Sequence, residues 1–576
     1  METTSNRQYG HWKHRCMDTR VPEALVEAKK LESVLFLLRL LYGLNRGAAE
    51  IMHADNHERL IQELAAGNHI VPLDDFLNPK VASKVIRQLQ DPITICGGSL
   101  PAWCSQVSMY ASFLLPFETR RHFVYCTAFG VPRSLMRLQQ YQSANSGAGG
   151  DADPRDARVG RIQRQKVRVQ RSRILESALK VMDLYSSSRA ILEVEYFNEV
   201  GSGLGPTLEF YTLLSHELQR RSLELWRDFE IAPQGGPAGA GAGLKGLRTS
   251  KTLLFPKPLS PDHPKRAKIL QYFKMMGAAA GKAILDSRLM DLPLSAAFLR
   301  LVRGNTLRDV DLIEVDPQLA RTLHKFGAVA RRHAELVAKG RRGESASVLV
   351  DGAEVEALGL DFTYPGVPDY KLKPLGDSVD VTLSTLGEYV EAVKDATLRS
   401  GVQAQAQAFC EGFNNVIPID VLAPFSDHEI DLLLCGTHES WTVEMLADSI
   451  KFDHGYTSAS PPIRQFLSIL SSLDFEQQRA FLRFVTGCPR LPPGGLAGLS
   501  PRLTVVRKQP SGVQTGSPGK PANPATNPGT TAADADLPSV MTCANYLKLP
   551  PYSSEEIMKA RILFAIKEGQ CSFDLS

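Results

Sequence analysis

The sequence predicts an α+β fold in which helix predominates. Three observations carry this. Between 264 and 289, Ile269, Phe273, Met276, Ala280 and Ile284 share one stripe, as in an amphipathic helix. Helical patterning returns over 20–66 and 441–490. Strand-like runs are short and few, the clearest being 191–197 and 503–508. A chain of 576 residues has length for several domains or lobes with sizeable cores.

Taken in order, residues 20–66 read as helices. Leu35, Leu38, Leu41 and Leu44 sit near helical spacing, most simply as a core face. Residues 70–135 alternate short helices with Pro and Gly. The Gly-, Ala- and Asp-rich stretch 143–157 reads as a linker. Seven cations follow between Arg158 and Arg173. They could mark a nuclear-import signal or an anion-binding patch, but a solvated face leading into the next domain is the simpler reading. With no interleaved aromatics, the run makes a poor nucleic-acid platform.

The run 191–197 is a strand. "GSGLG" (201–205) then makes a Gly-rich turn, and Pro206 opens a long helix. A dinucleotide fingerprint shares that context but has different spacing, and "SHELQRRS" continues the helix where a second strand should end. Gly277 to Ala283 imitates a phosphate loop with one spacer too few and no Ser or Thr after Lys282. Small residues for close helix packing explain it better. Stretches 234–246 and 509–536 have loop composition, the second expected to stay disordered. Residues 359–383 read as short strands and turns.

Within 537–576, Cys543 lies in a short segment between that loop and a well-signalled helix. Ser553 and Glu556 have capping-box spacing, Ile557, Ala560, Leu563 and Phe564 are expected on the packed face, and Gly569 ends the helix. Spacing alone favours a buried structural thiol at Cys543, the usual state of a cysteine. Cys435 and Cys488 read as structural.

Composition sets bounds. The balance of 66 Lys and Arg against 62 Asp and Glu argues neither for nor against nucleic acid. No apolar run reaches membrane-spanning length; residues 34–44 are too few and include Arg39. The N-terminal residues lack the apolar core of a signal peptide. Nine scattered cysteines without a C-x-x-C pair fit reduced thiols in the nucleus or cytoplasm and disfavour a zinc site. No metal or cofactor is expected, and neither nucleic acid nor membrane is expected as a partner.

Thr542-Cys543-Ala544-Asn545, with Leu549, Pro550 and Tyr552, resembles the active-site segment of HECT-type ubiquitin-protein ligases. The resemblance continues through 481–508, 408–436, 281–295 and 192–218, in family order over the last two-thirds of the chain. It is closest to the thyroid-hormone-receptor-interactor-twelve and ubiquitin-fusion-degradation subfamily, whose region before the catalytic domain 76–92 and 113–130 also resemble.

That resemblance implies a bilobal fold behind a helical N-terminal region (1–142) and linker (143–164). A large, mostly helical N-lobe spans 165–436, with a subdomain near 310–410 that docks the ubiquitin-conjugating enzyme. A hinge at 437–440 joins it to a small C-lobe, 441–576, carrying the insertion 509–536. Cys543 would accept ubiquitin as a thioester from the conjugating enzyme and pass it to lysines of protein substrates, promoting proteasomal degradation. Phe573, fourth from the end, would orient the transfer site. Thr542 and Asn545 could donate hydrogen bonds to the thioester oxyanion or simply form a turn. Asp574 is a candidate acceptor for the incoming amine's proton, and a solvated tail charge is the plainer reading. Two rival readings stand beside the ligase: a thiol peptidase acting on ubiquitin adducts through Cys543 and a distant His, and a helical scaffold with an inert thiol.

Overall fold

In the computed structural model, residues 29–53, 59–60, 62–63, 69–145, 162–199, 201, 203–227, 253–340, 349–509 and 532–569 are described. Two hydrophobic cores organise them. The larger runs from Ala49 to Cys435, the smaller from Trp441 to Ile566. The helices used below are α1 (Lys29–Arg46), α2 (Phe117–Thr127), α3 (Leu204–Leu218), α4 (Arg266–Leu285), α5 (Ser400–Asn414), α6 (Asp427–Cys435), α7 (Phe475–Thr486) and α8 (Glu555–Glu568).

The expected amphipathic stripe forms α4, the axis of the larger core. Its small residues let α5 approach to backbone contact. A Cβ on Gly277 would lie 1.9 Å from the Phe409 carbonyl oxygen, and one on Gly412 would lie 1.8 Å from that of Lys274. An added methyl at either position would force the helices apart, at a cost of about 1–3 kcal/mol. Lys282, in the apparent phosphate loop, is buried. Its ammonium donates to the Ser188 and Ala190 carbonyls at 2.8 and 2.9 Å. The stretch is therefore a packing surface, as its spacing suggested.

The cationic run, expected as a solvated face, is the exposed face of a strand. β1 (Arg164–Val169) pairs in parallel with β2 (Ile191–Tyr196). Val167 and Val169 point into the core, whereas Lys166 and Arg168 pair outward with Glu195. Arg171 grips Glu199 and Glu209 and stacks over Tyr196. Arg158 and Arg161 lie outside the described residues.

Residues before 145 share the larger core. Arg120 on α2 donates to the Pro424 carbonyl at 2.8 Å and pairs with Glu429, which also completes the capping box of α6. Arg133 reaches Asp286 and the Leu285 and Arg189 carbonyls. Of the leucine stripe expected as a core face, Leu35 and Leu38 pack against a small cluster of Ala111, Phe113 and Leu114, whereas Leu41 and Leu44 stay 47% and 40% exposed. They line an open apolar groove with Ile51, Met52, Ile70 and Phe76. The small hairpin β3 (Thr363–Tyr364) and β4 (Val367–Lys371) lies within 359–383, as read.

The smaller core wraps a sheet of order β5-β6-β8-β7, formed by Lys451–Asp453, Thr504–Arg507, Tyr546–Leu549 and Ser539–Met541. β5, β6 and β8 run parallel, and β7 closes the edge antiparallel to β8. α8 packs in the same core, where the expected Ile557 and Leu563 are partly buried. Met558, Ile562, Ala565 and Ile566 are buried, while Ala560 and Phe564 are exposed. Its cap is Ser554, whose hydroxyl accepts from Ile557 N, not Ser553. No helix among the described residues is long and apolar enough to cross a membrane.

Candidate active site at Cys543

Cys543 sits at the tip of the β7–β8 hairpin. Thr542 to Asn545 make its turn, with Ala544 N donating to Met541 O at 3.1 Å. Asn545 takes a left-handed backbone conformation, φ 49°, which asparagine tolerates better than most side chains. Its side-chain Nδ2 donates to the Pro501 carbonyl at 2.7 Å, and its own carbonyl accepts from Thr504 N. Asn545 is thus pinned beneath the turn and 3% exposed; Thr542 is 8% exposed. Between these two buried anchors the Cys543 thiol is exposed. Burial pushes the Cys488 thiol up to about 11 and the Cys435 thiol well above the usual range, so both stay protonated and structural.

The approach to the hairpin is anchored by residues the sequence reading assigned to a disordered insertion. Ala532–Ala535 forms a short helix with Asp534 buried. The Asp534 carboxylate accepts from the Ser553 amide at 2.8 Å and its hydroxyl at 2.9 Å, and the Asp534 carbonyl accepts from Arg561 Nε. Tyr552 Oη donates to Asp536 O, and Lys508 Nζ donates to Leu537 O. Ser553 thus holds Asp534 rather than capping α8. The rest of the insertion, 510–531, lies outside the described residues, as do Phe573 and Asp574.

The hairpin also meets the larger core. Gly205, second residue of α3, has Thr542 directly over its Cα. A Cβ there would stand 2.1 Å from Thr542 Oγ1 and 3.6 Å from Cys543 N. Farther along the same seam, Thr212 Oγ1 donates to the Gly487 carbonyl at 3.3 Å. Asp291 then collects two cations from the smaller core, Arg479 Nη2 at 2.5 Å and Arg490 Nε at 2.6 Å, with His216 Nε2 at 3.5 Å. Burial alone would raise the Asp291 pKa. The His216 hydrogen bond and the Arg479 and Arg490 charges overcome it and hold the carboxyl well below the usual carboxylate range. Arg490 also meets His438 Nε2 at 2.5 Å. Burial and the two arginines push that imidazole down to about 4, so at neutral pH it accepts the bond.

Sequence reasoning missed Asp291, whose partners lie about 190–200 positions away. It noticed the Gly-rich turn at 201–205 but weighed it only as a cofactor loop. No group of His, Cys, Asp and Glu suited to a metal occurs among the described residues.

The sequence profile of a family described as "HECT-domain (ubiquitin-transferase)" matches residues 212–576. E3 ubiquitin-protein ligase UPL3 of Arabidopsis thaliana is 46% identical over 96% of this chain and 30% of its own length. E3 ubiquitin-protein ligase TRIP12 of Danio rerio is 39% identical over 96% of this chain and 26% of its own. Ubiquitin fusion degradation protein 4 of Saccharomyces cerevisiae is 35% identical over 88% of this chain and 32% of its own. The chain therefore spans a third or less of the length of each of these relatives.

Proposed function

The chain belongs to the HECT family of ubiquitin transferases, and from that premise we propose that it is a ubiquitin-protein ligase with Cys543 as the acceptor. The observation that carries this is the exposed thiol at the tip of a hairpin whose flanking residues are buried and fixed.

The chemistry has two exchanges. The Cys543 thiolate attacks the carbonyl of the thioester joining ubiquitin to a conjugating enzyme and expels that enzyme's thiolate. One thioester replaces another, so little driving force is needed. A substrate lysine amine then attacks the Cys543 thioester. The isopeptide bond forms, the Cys543 thiolate leaves, and the amine gives its proton to a base. Thr542 sits against Gly205, and Asn545's amide donates to Pro501. Both therefore serve the turn's shape in this reading. Phe573 and Asp574 are assigned to the transfer step, the first orienting the site and the second accepting the amine proton.

In this reading 165–436 form the N-lobe and 441–576 the C-lobe, with 437–440 as the hinge. The helical region before 142 is packed on the N-lobe. The part of the N-lobe near 310–410 docks the conjugating enzyme. Swinging about the hinge lets one thiol meet first that enzyme and then a substrate, two geometries a rigid body could not both satisfy. Substrates are proteins marked for degradation, in keeping with the relative named for ubiquitin fusion degradation. The site of action is the nucleus, the cytoplasm or both.

The test is a non-reducing gel after incubation with activating enzyme, conjugating enzyme, ATP and ubiquitin. A thiol-sensitive band one ubiquitin heavier is expected, lost in Cys543→Ala and thiol-resistant in Cys543→Ser. A Cys543→Ala protein of full activity would overturn the assignment.

A further inference from the structure

Glycine is a poor helix former, yet Gly205 sits inside α3. Its φ is not in the left-handed range, so glycine is not required there for a left-handed backbone, although Pro206 follows and disfavours a Cβ on a helical residue before it. Close packing within the N-lobe does not need it either. The three heavy atoms nearest to a Cβ on Gly205 are Thr542 Oγ1 at 2.1 Å, Thr542 Cβ at 2.9 Å and Cys543 N at 3.6 Å, all from the hairpin. The same glycine's carbonyl oxygen lies 2.9 Å from where Gly487, at the end of α7, would carry a Cβ. Gly487 is itself left-handed, φ 82°, and its carbonyl accepts from Thr212. The first two turns of α3 therefore touch the C-lobe at both the Cys543 turn and the C-terminus of α7. The Asp291 ion pairs clamp the same seam.

We propose that Gly205 is a positioning residue for Cys543: the missing side chain forms a socket in which the Thr542-Cys543 turn seats when the lobes dock. The seated state is the one from which ubiquitin leaves the thiol for the acceptor amine. Loading calls for the thiol to reach a separate protein, and release profits from a fixed carbonyl approached along one line. This rests on the reading of Cys543 as the acceptor. It also accounts for the Gly-rich turn after β2, which fits no cofactor.

Gly205→Ala tests seating; the cost of a Cβ on a helical residue before Pro206 is common to this variant and to the double variant below, so their difference isolates the clash with the docked hairpin. Thr542→Ala and the double variant complete a cycle. Loading of Cys543 from the conjugating enzyme and single-turnover discharge to lysine are timed separately, and amide hydrogen exchange is followed over 539–546. In Gly205→Ala we expect faster exchange at the hairpin and discharge slowed about tenfold, with loading changed less than about twofold. In the double variant, Thr542→Ala should restore part of the discharge rate, since shortening the clash partner relieves the overlap.

Unchanged hairpin exchange, unchanged discharge, or equal loss of loading and discharge would overturn the socket. If the unmodified protein forms no thioester, the ligase reading fails instead, and the exchange measurement alone still decides whether the turn seats on Gly205.

Discussion

The Asp291 carboxylate and the Arg490 guanidinium meet at 2.6 Å across the seam between the two cores. Arg479 shares the same carboxylate, and both cations come from the smaller core. Asp291 is 4% exposed. Replacing it with alanine would leave two cations facing a buried gap. Breaking a buried pair in this way typically costs about 3–5 kcal/mol, because the remaining charge is uncompensated. The loss should appear as looser docking: a larger radius of gyration in solution scattering and faster proteolysis near 436–440. His216→Gln, which removes only the most distant partner, should move both much less.

Removing residues 573–576 should separate the two exchanges. Loading of Cys543 is expected to remain largely intact, while isopeptide formation slows. Pulse-chase gels with labelled ubiquitin check this; equal loss of both steps would count against a role of Phe573 in transfer.

Asp534→Ala should destabilise the smaller core by about 1–3 kcal/mol, because the Ser553 amide and hydroxyl lose a buried acceptor. Asp534→Asn keeps one acceptor oxygen and should recover part of that loss. Chemical denaturation followed at Trp441, buried in the same core, reads the difference.

His122 supplies a pH dependence. It is 2% exposed, and burial, with help from Arg137 and Arg121, pushes its pKa down to about 4. The ordinary value is about 6.5. Between those two values the unfolded chain binds the extra proton, so stability rises with pH there. His122 should therefore leave stability intact above about pH 6.5 and remove on the order of 3 kcal/mol as the pH falls to 4. His122→Gln should flatten that part of the stability profile, measured by urea unfolding from pH 7 to 4.

Much of the scaffold was legible because it repeats. The stripe from Ile269 to Ile284 gave α4, and the runs at 191–197 and 503–508 gave β2 and β6, all from local periodicity. β1 hid in plain sight. Arg164, Lys166 and Arg168 dominate its composition, and only the partner strand's Glu193 and Glu195 explain why such a charged run pairs in a sheet. α8 was placed correctly, and Ile557 and Leu563 do pack against the core, but Met558 and Ile562 are its buried residues while Phe564 is exposed. Cys543 was singled out by the residues around it, not by its spacing. Asp291 and Gly205 were opaque for one shared reason. Their importance lies in atoms contributed from hundreds of positions away, and no short window holds both partners.

Lys508 and Leu537 are joined by a 2.8 Å hydrogen bond at the two roots of the long excursion between β6 and β7. Asp534 fastens the returning strand to the helix below. Changing the number of residues between those roots should therefore cost little, since lengthening a closed loop adds only a slowly growing entropic penalty. A fluorophore tag or a protease site grafted near 520 should therefore leave the anchoring of the Cys543 hairpin unchanged, a built-in handle for labelling this protein.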